Sequence, residues 1–292
     1  GGLNWSNVSP TAYIYNSFSY TSPDIATAVS VGGKTAYTTN AGLSWTNGSD
    51  LPASGIAITT NSSGNAIVVG SGGNIFSSMD YGTSWSNNTQ KIKPLVIRGG
   101  FMKNSSTAYI AGYGGSAYKS TDGGLNWKVI PTNTTKNLED IGENNGNVVL
   151  CGSNGTILVS TNITVPAPEW TAKNVTTATK QNRHLAFSGV RGYITTSDGK
   201  ILVSSDYGGN WMEYYSGSAS LSGLYMLTES LGYAVGEKGN IIKITPAPPV
   251  SLLKGIRPAK LSDTHCEGDF AIAVGTGVIL KSEDGGKSWK NI

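Results

Sequence analysis

Short apolar runs of four to six residues recur along the whole chain, and most come in pairs joined by a glycine turn. Ala66-Ile67-Val68-Val69-Gly70 passes through Ser71-Gly72-Gly73-Asn74 into Ile75-Phe76, and Tyr109-Ile110-Ala111-Gly112 passes through Tyr113-Gly114-Gly115 into Ser116-Ala117-Tyr118-Lys119. The same frame returns at 148–158, 192–203, 232–244 and 271–280. Runs this short, with glycine between them and no 3.6-residue period, predict antiparallel β-strands in hairpins. A less regular strand precedes each pair.

The tryptophans set the period. All seven fall in one series, Trp5, Trp45, Trp85, Trp127, Trp170, Trp211 and Trp289, with successive spacings of 40, 40, 42, 43, 41 and 78. The last spacing is close to double, so one unit has lost its Trp, and Ile241-Ile242-Lys243-Ile244-Thr245-Pro246 marks where that unit lies. Before most of these tryptophans stands the text S/T-x-D/N-x-G-x-x-W, and each Trp opens a fourth strand. It is carried by Ser78, Asp80, Gly82 and Trp85; by Ser120, Asp122, Gly124 and Trp127; by Ser204, Asp206, Gly208 and Trp211; and by Ser282, Asp284, Gly286 and Trp289. Thr38 to Trp45 is a softer copy with Asn40 for Asp, and Ser160-Thr161-Asn162 begins another whose Trp170 is delayed by an insertion. A Ser or Asp that bonds nearby backbone N–H groups holds a tight turn, and Gly takes the angles that other residues resist. These residues are therefore expected to be structural.

Four strands in a unit of about forty residues is a propeller blade. The expectation is all-β: a seven-bladed β-propeller of four-stranded antiparallel blades with these boxes as hairpins. It is one domain over residues 1–292, with blades near 9–49, 50–88, 89–130, 131–173, 174–214, 215–252 and 253–292. The C-terminal Lys290-Asn291-Ile292 starts a fourth strand, and so does the segment after Trp5. Residues 1–8 are thus a surplus N-terminal strand, expected to latch the ring or to pair with a neighbouring molecule.

The box resembles the Asp-box, or BNR, repeat. That repeat occurs in sialidases, in two-propeller xyloglucanases, in sortilin-type receptors and in photosystem II assembly factors of the Ycf48/HCF136 type. The resemblance covers nearly the whole chain and implies the fold alone, because these families share no activity. The assembly factors, which it matches in blade number and length, are lumenal and bind membrane-protein intermediates, and they are not known for glycosylation sequons. Sialidases imply an arginine triad and an Arg-Ile-Pro motif. The chain's four arginines are Arg98, Arg183, Arg191 and Arg257, and the nearest text is Gly255-Ile256-Arg257-Pro258.

Composition narrows the function. Only 13% of residues are charged, the formal net charge is +3, and no basic run would track a phosphate backbone, so nucleic acid is not expected. No apolar run reaches the roughly 20 residues of a membrane span. Cys151 and Cys266 form no disulfide framework and no zinc pattern, and Cys151 reads as a free buried thiol. Carboxylates outside the boxes cluster at Glu139, Asp140 and Glu143 and at Asp263, Glu267 and Asp269. Both groups read as solvated loop charges and not as a glycosidase pair. His184 and His265 are the two histidines and read as loop residues near strand ends. No catalytic, cofactor-binding or metal-ligating set emerges, and the chain is not expected to be an enzyme.

Hydroxyl- and amide-rich composition points outward. Asn-x-Ser/Thr acceptors stand at Asn4, Asn7, Asn47, Asn61, Asn87, Asn104, Asn133, Asn154, Asn162 and Asn174. They predict a glycoprotein with covalently attached glycans, and the start at Gly1 reads as a mature form whose leader is gone. The expected function is a secreted, extracellular or cell-surface structural protein, a self-assembling subunit of a surface layer, sheath or filament, or an adhesive module. The expected partner is a second copy, engaged through the N-terminal strand. The alternative is a glycan- or protein-binding propeller, with Tyr13, Tyr15 and Tyr20 as stacking residues. A third is a BNR-type glycoside hydrolase.

Overall fold

The structure, a computed structural model, describes residues 13–88, 96–163, 168–173, 175, 180–245, 252–254, 261–267, 270–275, 278–283 and 290–291. The fold is all-β, and its seven four-stranded antiparallel sheets are the blades of a β-propeller. The first sheet is β1 (Tyr15–Ser22), β2 (Ile25–Ser30), β3 (Thr35–Thr38) and β4 (Thr46–Asn47). The second is β5 (Gly55–Thr60), β6 (Ala66–Gly70), β7 (Ile75–Ser78) and β8 (Ser86–Asn87). The third is β9 (Ile97–Met102), β10 (Ala108–Gly112), β11 (Ser116–Ser120) and β12 (Lys128–Val129). The fourth is β13 (Leu138–Asn144), β14 (Asn147–Gly152), β15 (Ile157–Ser160) and β16 (Thr171–Ala172). The fifth is β17 (Asn182–Ser188), β18 (Arg191–Thr196), β19 (Lys200–Ser204) and β20 (Met212–Ser216). The sixth is β21 (Leu221–Thr228), β22 (Leu231–Gly236), β23 (Asn240–Ile244) and β24 (Leu252–Lys254), which is the unit without a Trp. The seventh is β25 (Leu261–Glu267), β26 (Phe270–Gly275), β27 (Val278–Ser282) and β28 (Lys290–Asn291). Residues 1–8 lie outside the described residues.

The chain divides into two compact units, one holding the first three sheets and β13 up to Ile141, the other holding most of the chain from Gly142 on. Within each, the second strands explain the apolar runs. All five residues of β6 and of β10 are buried, because a blade has a neighbour on each face. In β6, Ala66 and Val68 pack with Val29, Leu51 and Ile58, while Ile67 and Val69 pack with Ile97, Ile110 and Trp127. In the other unit, Val149, Cys151, Ile194, Leu202 and Trp211 fill one interface. Tyr193, Leu221, Leu224 and Ile242 fill the next, and Tyr233, Val235, Cys266 and Ala273 the one after. Alternate residues of one strand therefore serve two cores, so every buried methylene carries its ordinary weight of about 0.8 kcal/mol. The outer strands β4, β8, β12 and β16 are two residues long and exposed. Edges that short offer little ladder for pairing with another chain.

In the first, second, third and fifth sheets the box ties the strands together at one end. Ser78 Oγ accepts from the backbone N–H of Asp80 (3.3 Å) and Gly82 (2.9 Å) and donates to Asp80 Oδ1 (2.7 Å). Asp80 Oδ1 accepts from the Ser84 N–H at 2.9 Å and Oδ2 from its hydroxyl. Ser120 and Asp122 repeat this with Gly124 and Asn126, and Ser204 and Asp206 with Gly208 and Asn210. Asn40 accepts from the Ser44 N–H just as the aspartates do, so the motif works without a negative charge. The fourth and fifth box residues are both left-handed: Ala41 and Gly42, Tyr81 and Gly82, Gly123 and Gly124, Tyr207 and Gly208. That reversal aims the fourth residue's N–H back at the first hairpin turn of its own sheet, at Asp24, Gly64, Ser106 and Val190 respectively. It also presses the glycine on the preceding sheet. A Cβ on Gly82, Gly124 or Gly208 would come within 2.5 Å of Thr27, 2.6 Å of Ile67 or 2.7 Å of Val149. Thr27 Oγ1 donates to Tyr81 O and Asn147 Nδ2 to Tyr207 O, at 2.9 and 3.0 Å.

Gly124→Ala is expected to lower stability by about 2–4 kcal/mol, since it adds a left-handed Cβ and a clash in one step. Asp122→Ala is expected to cost about 1–3 kcal/mol through unpaired turn donors. Ala41→Gly is expected to be neutral or to gain roughly 0.5–1 kcal/mol, by releasing strain at the same turn position. Urea denaturation checks all three; a Gly124→Ala variant as stable as the parent contradicts the packing account.

Candidate functional site

The serines and aspartates of the boxes have little left with which to bind. Ser78, Asp80, Gly82, Trp85, Ser120, Asp122, Gly124, Trp127, Ser204, Asp206, Gly208 and Trp211 all sit in the turns just described, and the buried Trp127 and Trp211 donate through Nε1 to the box Gly124 and Gly208 carbonyls at 2.9 Å. Ser282 ends β27, while Asp284, Gly286 and Trp289 lie outside the described residues. Partial burial pushes the Asp122 and Asp206 carboxyls up, but hydrogen bonds from Asn126 and Asn210 and from the box serines outweigh it and hold both below the ordinary carboxylate range.

Several sequon asparagines prove to be turn chemistry. Asn61 Oδ1 accepts from the Ser63 and Asn65 N–H groups, and Asn104 Oδ1 from those of Ser106 and Thr107. Asn133 and Asn154 take the left-handed backbone, at φ 55 and 54, which Asn tolerates better than most residues. Asn162 occupies the aspartate place of the fourth box and accepts from Ser160 Oγ and the Glu169 N–H. Asn47 and Asn87 are exposed on β4 and β8, and Asn4, Asn7 and Asn174 lie outside the described residues. The hydroxyls two residues on belong to the same repeat, so the Asn-x-Ser/Thr text follows from turns and strands.

The other end of each sheet is different. Where the first strand of a sheet begins, its second residue is an extra one, bulged out of register with the second strand. It is Asn16 in β1, Ile56 in β5, Arg98 in β9, Arg183 in β17, Ser222 in β21 and Ser262 in β25. In β13 the matching residue is Glu139: its neighbour Asp140 meets Gly99, the third residue of β9, just as Asp263 meets Gly223 in β21. A bulge re-aims its side chain, and in the first and third sheets that side chain reaches forward to the next sheet. Asn16 Nδ2 donates to Gly55 O at 2.9 Å. Arg98 Nε donates to Glu139 Oε2 at 2.9 Å, with the Glu139 side chain only 4% exposed and that of Arg98 33%. The Arg98 guanidinium also lies 5.8 Å from the centre of the Tyr113 ring. The reading of Glu139 and Asp140 as solvated loop charges is therefore wrong: both are buried on an inner strand. Tyr13, Tyr15 and Tyr20 do not form a stacking platform, since Tyr20 is buried, packed edge-on to Phe18, and Tyr13 lies under Lys34.

The histidines lie within strands and not in loops. His184 is the third residue of β17, and His265 pairs with Ile272 inside β25 with its ring 3.9 Å from that of Tyr225. Burial lowers the His265 pKa to about 3 and raises that of the adjacent Cys266 thiol, so neither a ready imidazolium nor a thiolate is present. Cys151 and Cys266 are both free and buried.

Comparison with known proteins decides the family. The model of the family described as photosynthesis system II assembly factor YCF48 matches residues 2–245. The chain belongs to this family. Two solved YCF48 structures resemble it across its length. One is titled YCF48 bound to D1 peptide (TM-score 0.73, 18% identity, 94% of each chain covered). The other is YCF48 from Cyanidioschyzon merolae (TM-score 0.72, 16% identity, 94% of this chain and 96% of that one). The WD40 repeats of RRP9 share the fold alone, at TM-score 0.75 and 10% identity over 92% of this chain and 89% of that one. No curated protein matches.

YCF48 membership overturns the expected function. A secreted, extracellular or cell-surface subunit of a surface layer, sheath or filament does not fit a photosystem II assembly factor, and neither does self-assembly through residues 1–8 or a coat of attached glycans. Sequon density and low charge misled because the repeat spends Asn, Ser, Thr and Gly on turns. Among the expected readings, protein binding by the propeller is the one consistent with the family.

Arg98→Gln is expected to destabilise by about 3 kcal/mol by stranding the buried Glu139 carboxylate, and Arg98→Gln/Glu139→Gln to recover much of it; thermal melts of the three proteins check this. His265 gives a pH dependence. Its folded pKa lies below the unfolded value of about 6.5, so the unfolded chain takes the proton first. Stability is expected to fall as pH drops from about 6.5 towards 3, by at most about 1.4 kcal/mol per unit from this one proton. In His265→Gln that slope is expected to be lost between pH 6.5 and 4.5; an unchanged slope there excludes His265 as its source.

Proposed function

We propose that the chain is a non-catalytic, polypeptide-binding assembly factor that engages a photosystem II subunit in the thylakoid lumen. The observation that carries this reading is the family match over residues 2–245. It is supported by the YCF48 relative whose title records a bound D1 peptide. The local chemistry agrees. Box aspartates are saturated by their own turns, whereas the bulged position of β17 carries a guanidinium, that of Arg183, whose Nε has no acceptor among the described residues. A polypeptide presents carbonyl oxygens and carboxylates, which such donors recognise. The non-catalytic part rests on roles already filled: Glu139 is held by Arg98, and Cys266 is kept protonated by burial.

The test is fluorescence anisotropy with a labelled synthetic peptide of the D1 protein. Saturable one-to-one binding is expected, in the micromolar range at about −8 kcal/mol. A folded chain that shows no binding at about 1 mM peptide, the −4 kcal/mol level, overturns the reading.

A further inference from the structure

The third and seventh sheets carry the same text around their boxes. Lys119 stands before Ser120 and Lys128 after Trp127, just as Lys281 stands before Ser282 and Lys290 after Trp289. In both sheets the two lysines are directly opposite one another on the third and fourth strands, Lys119 with Lys128 and Lys281 with Lys290. Like charges so placed repel, because the Cβ atoms of such a pair are only about 4.5–5.5 Å apart. The first, second, fourth and fifth sheets put uncharged residues there: Tyr37 with Thr46, Ser77 with Ser86, Val159 with Thr171 and Val203 with Met212. The two lysine pairs differ in what answers them. In the seventh sheet Lys281 Nζ is paired with the Glu283 carboxylate, two residues on, and lies 4.6 Å from the centre of the Phe270 ring. The third box has Thr121 at the Glu283 position, and a threonine hydroxyl brings no charge. Among the described residues no ion pair involves Lys119 or Lys128. The next acid along the chain, Asp122, has its carboxylate committed to Ser120 and Asn126. Lys119 is held in place, its ammonium 5.6 Å from the centre of the buried Tyr109 ring, and Lys128 is exposed on the edge strand beside Val129, which is 69% exposed.

We propose that the Lys119–Lys128 pair docks an acidic segment of a partner polypeptide, whose carboxylates take the place that Glu283 fills in the seventh sheet. The inference rests on the polypeptide-binding reading above and adds a contact separate from the first-strand bulges. Carboxylates two residues apart on an extended segment share a face and lie about 7 Å apart, a spacing that two ammonium groups on directly opposite strand positions can straddle. Val129 gives the apolar atoms of the same segment a surface beside the charges. An anionic membrane surface is read by clusters of about four to eight basic residues, more than the register places together here.

The experiment is an NMR titration in low-salt buffer, read at the Lys119 and Lys128 ammonium groups and at the amides of β11 and β12. Three probes are used: acetyl-Glu-Ala-Glu-amide, its uncharged analogue acetyl-Gln-Ala-Gln-amide, and inorganic phosphate. The acidic tripeptide is expected to bind saturably in the millimolar range, about fivefold more tightly than either of the others. Thr121→Glu supplies the acid that the seventh sheet already has and is expected to weaken that binding about fivefold. Thr121→Gln, uncharged at the same exposed position, is expected to leave it unchanged, and Lys128→Gln to remove most of it. A response no stronger than the uncharged peptide's, phosphate binding as tightly as the acidic peptide, or undiminished binding in Thr121→Glu overturns the proposal. The probes carry no D1 sequence, so their failure leaves the assembly-factor reading standing, while failure of the D1 peptide alone counts against that reading and not against this site.

Discussion

Each sheet of this protein has two apolar faces, and within each compact unit what covers them is another sheet. That single constraint shapes the rest. It makes the second strands continuously apolar, sends alternate residues such as Val68 and Val69 into different cores, and leaves only the two ends of each sheet free to be polar. Among the described residues the only helical turns are three short 3-10 turns, none of which could cover a sheet.

The two ends then diverge. At the box end, serine, aspartate and backbone N–H groups close on one another, and the left-handed glycine that makes this possible is pressed against the sheet before it. Polar satisfaction and packing coincide there, which leaves the serine and aspartate oxygens of the turn committed to it. At the bulge end, the extra residue of the first strand has a chemistry that varies from sheet to sheet, and at Asn16 and Arg98 its side chain reaches the next sheet. The same local geometry thus gives an internal ion pair at Arg98 and an unmatched guanidinium at Arg183. Constancy at one end and variation at the other is what a repeat looks like when one end folds the protein and the other recognises something.

Sequence made the first end legible. Tryptophan spacing and the box text are local, and they fix strand number and blade number directly; even the unit without a Trp, at β23, was placed by its spacing. The second end was hidden because a bulge has no residue signature. Asn16, Ile56, Arg98, Glu139, Arg183, Ser222 and Ser262 share a position but range from apolar to either charge, so only aligning the seven units would bring them together. Glu139 and Asp140 read as solvated loop charges because a cluster of acids usually lies in a loop; here both stand on a first strand, where Arg98 pairs Glu139 and the Ile141 N–H donates to Asp140. The sequons misdirected the functional reading for a related reason. Asn61, Asn104 and Asn162 are chosen for the oxygen that caps a turn, and a glycosylation motif is the same text.

Chemical-shift mapping of a bound D1 peptide over the backbone amides tests the division of labour between the two ends most directly. The account predicts perturbations at the first-strand bulges, Arg183 among them, and silence at the Asp80, Asp122 and Asp206 turns. Perturbations centred on those box turns, with the first strands silent, would contradict it.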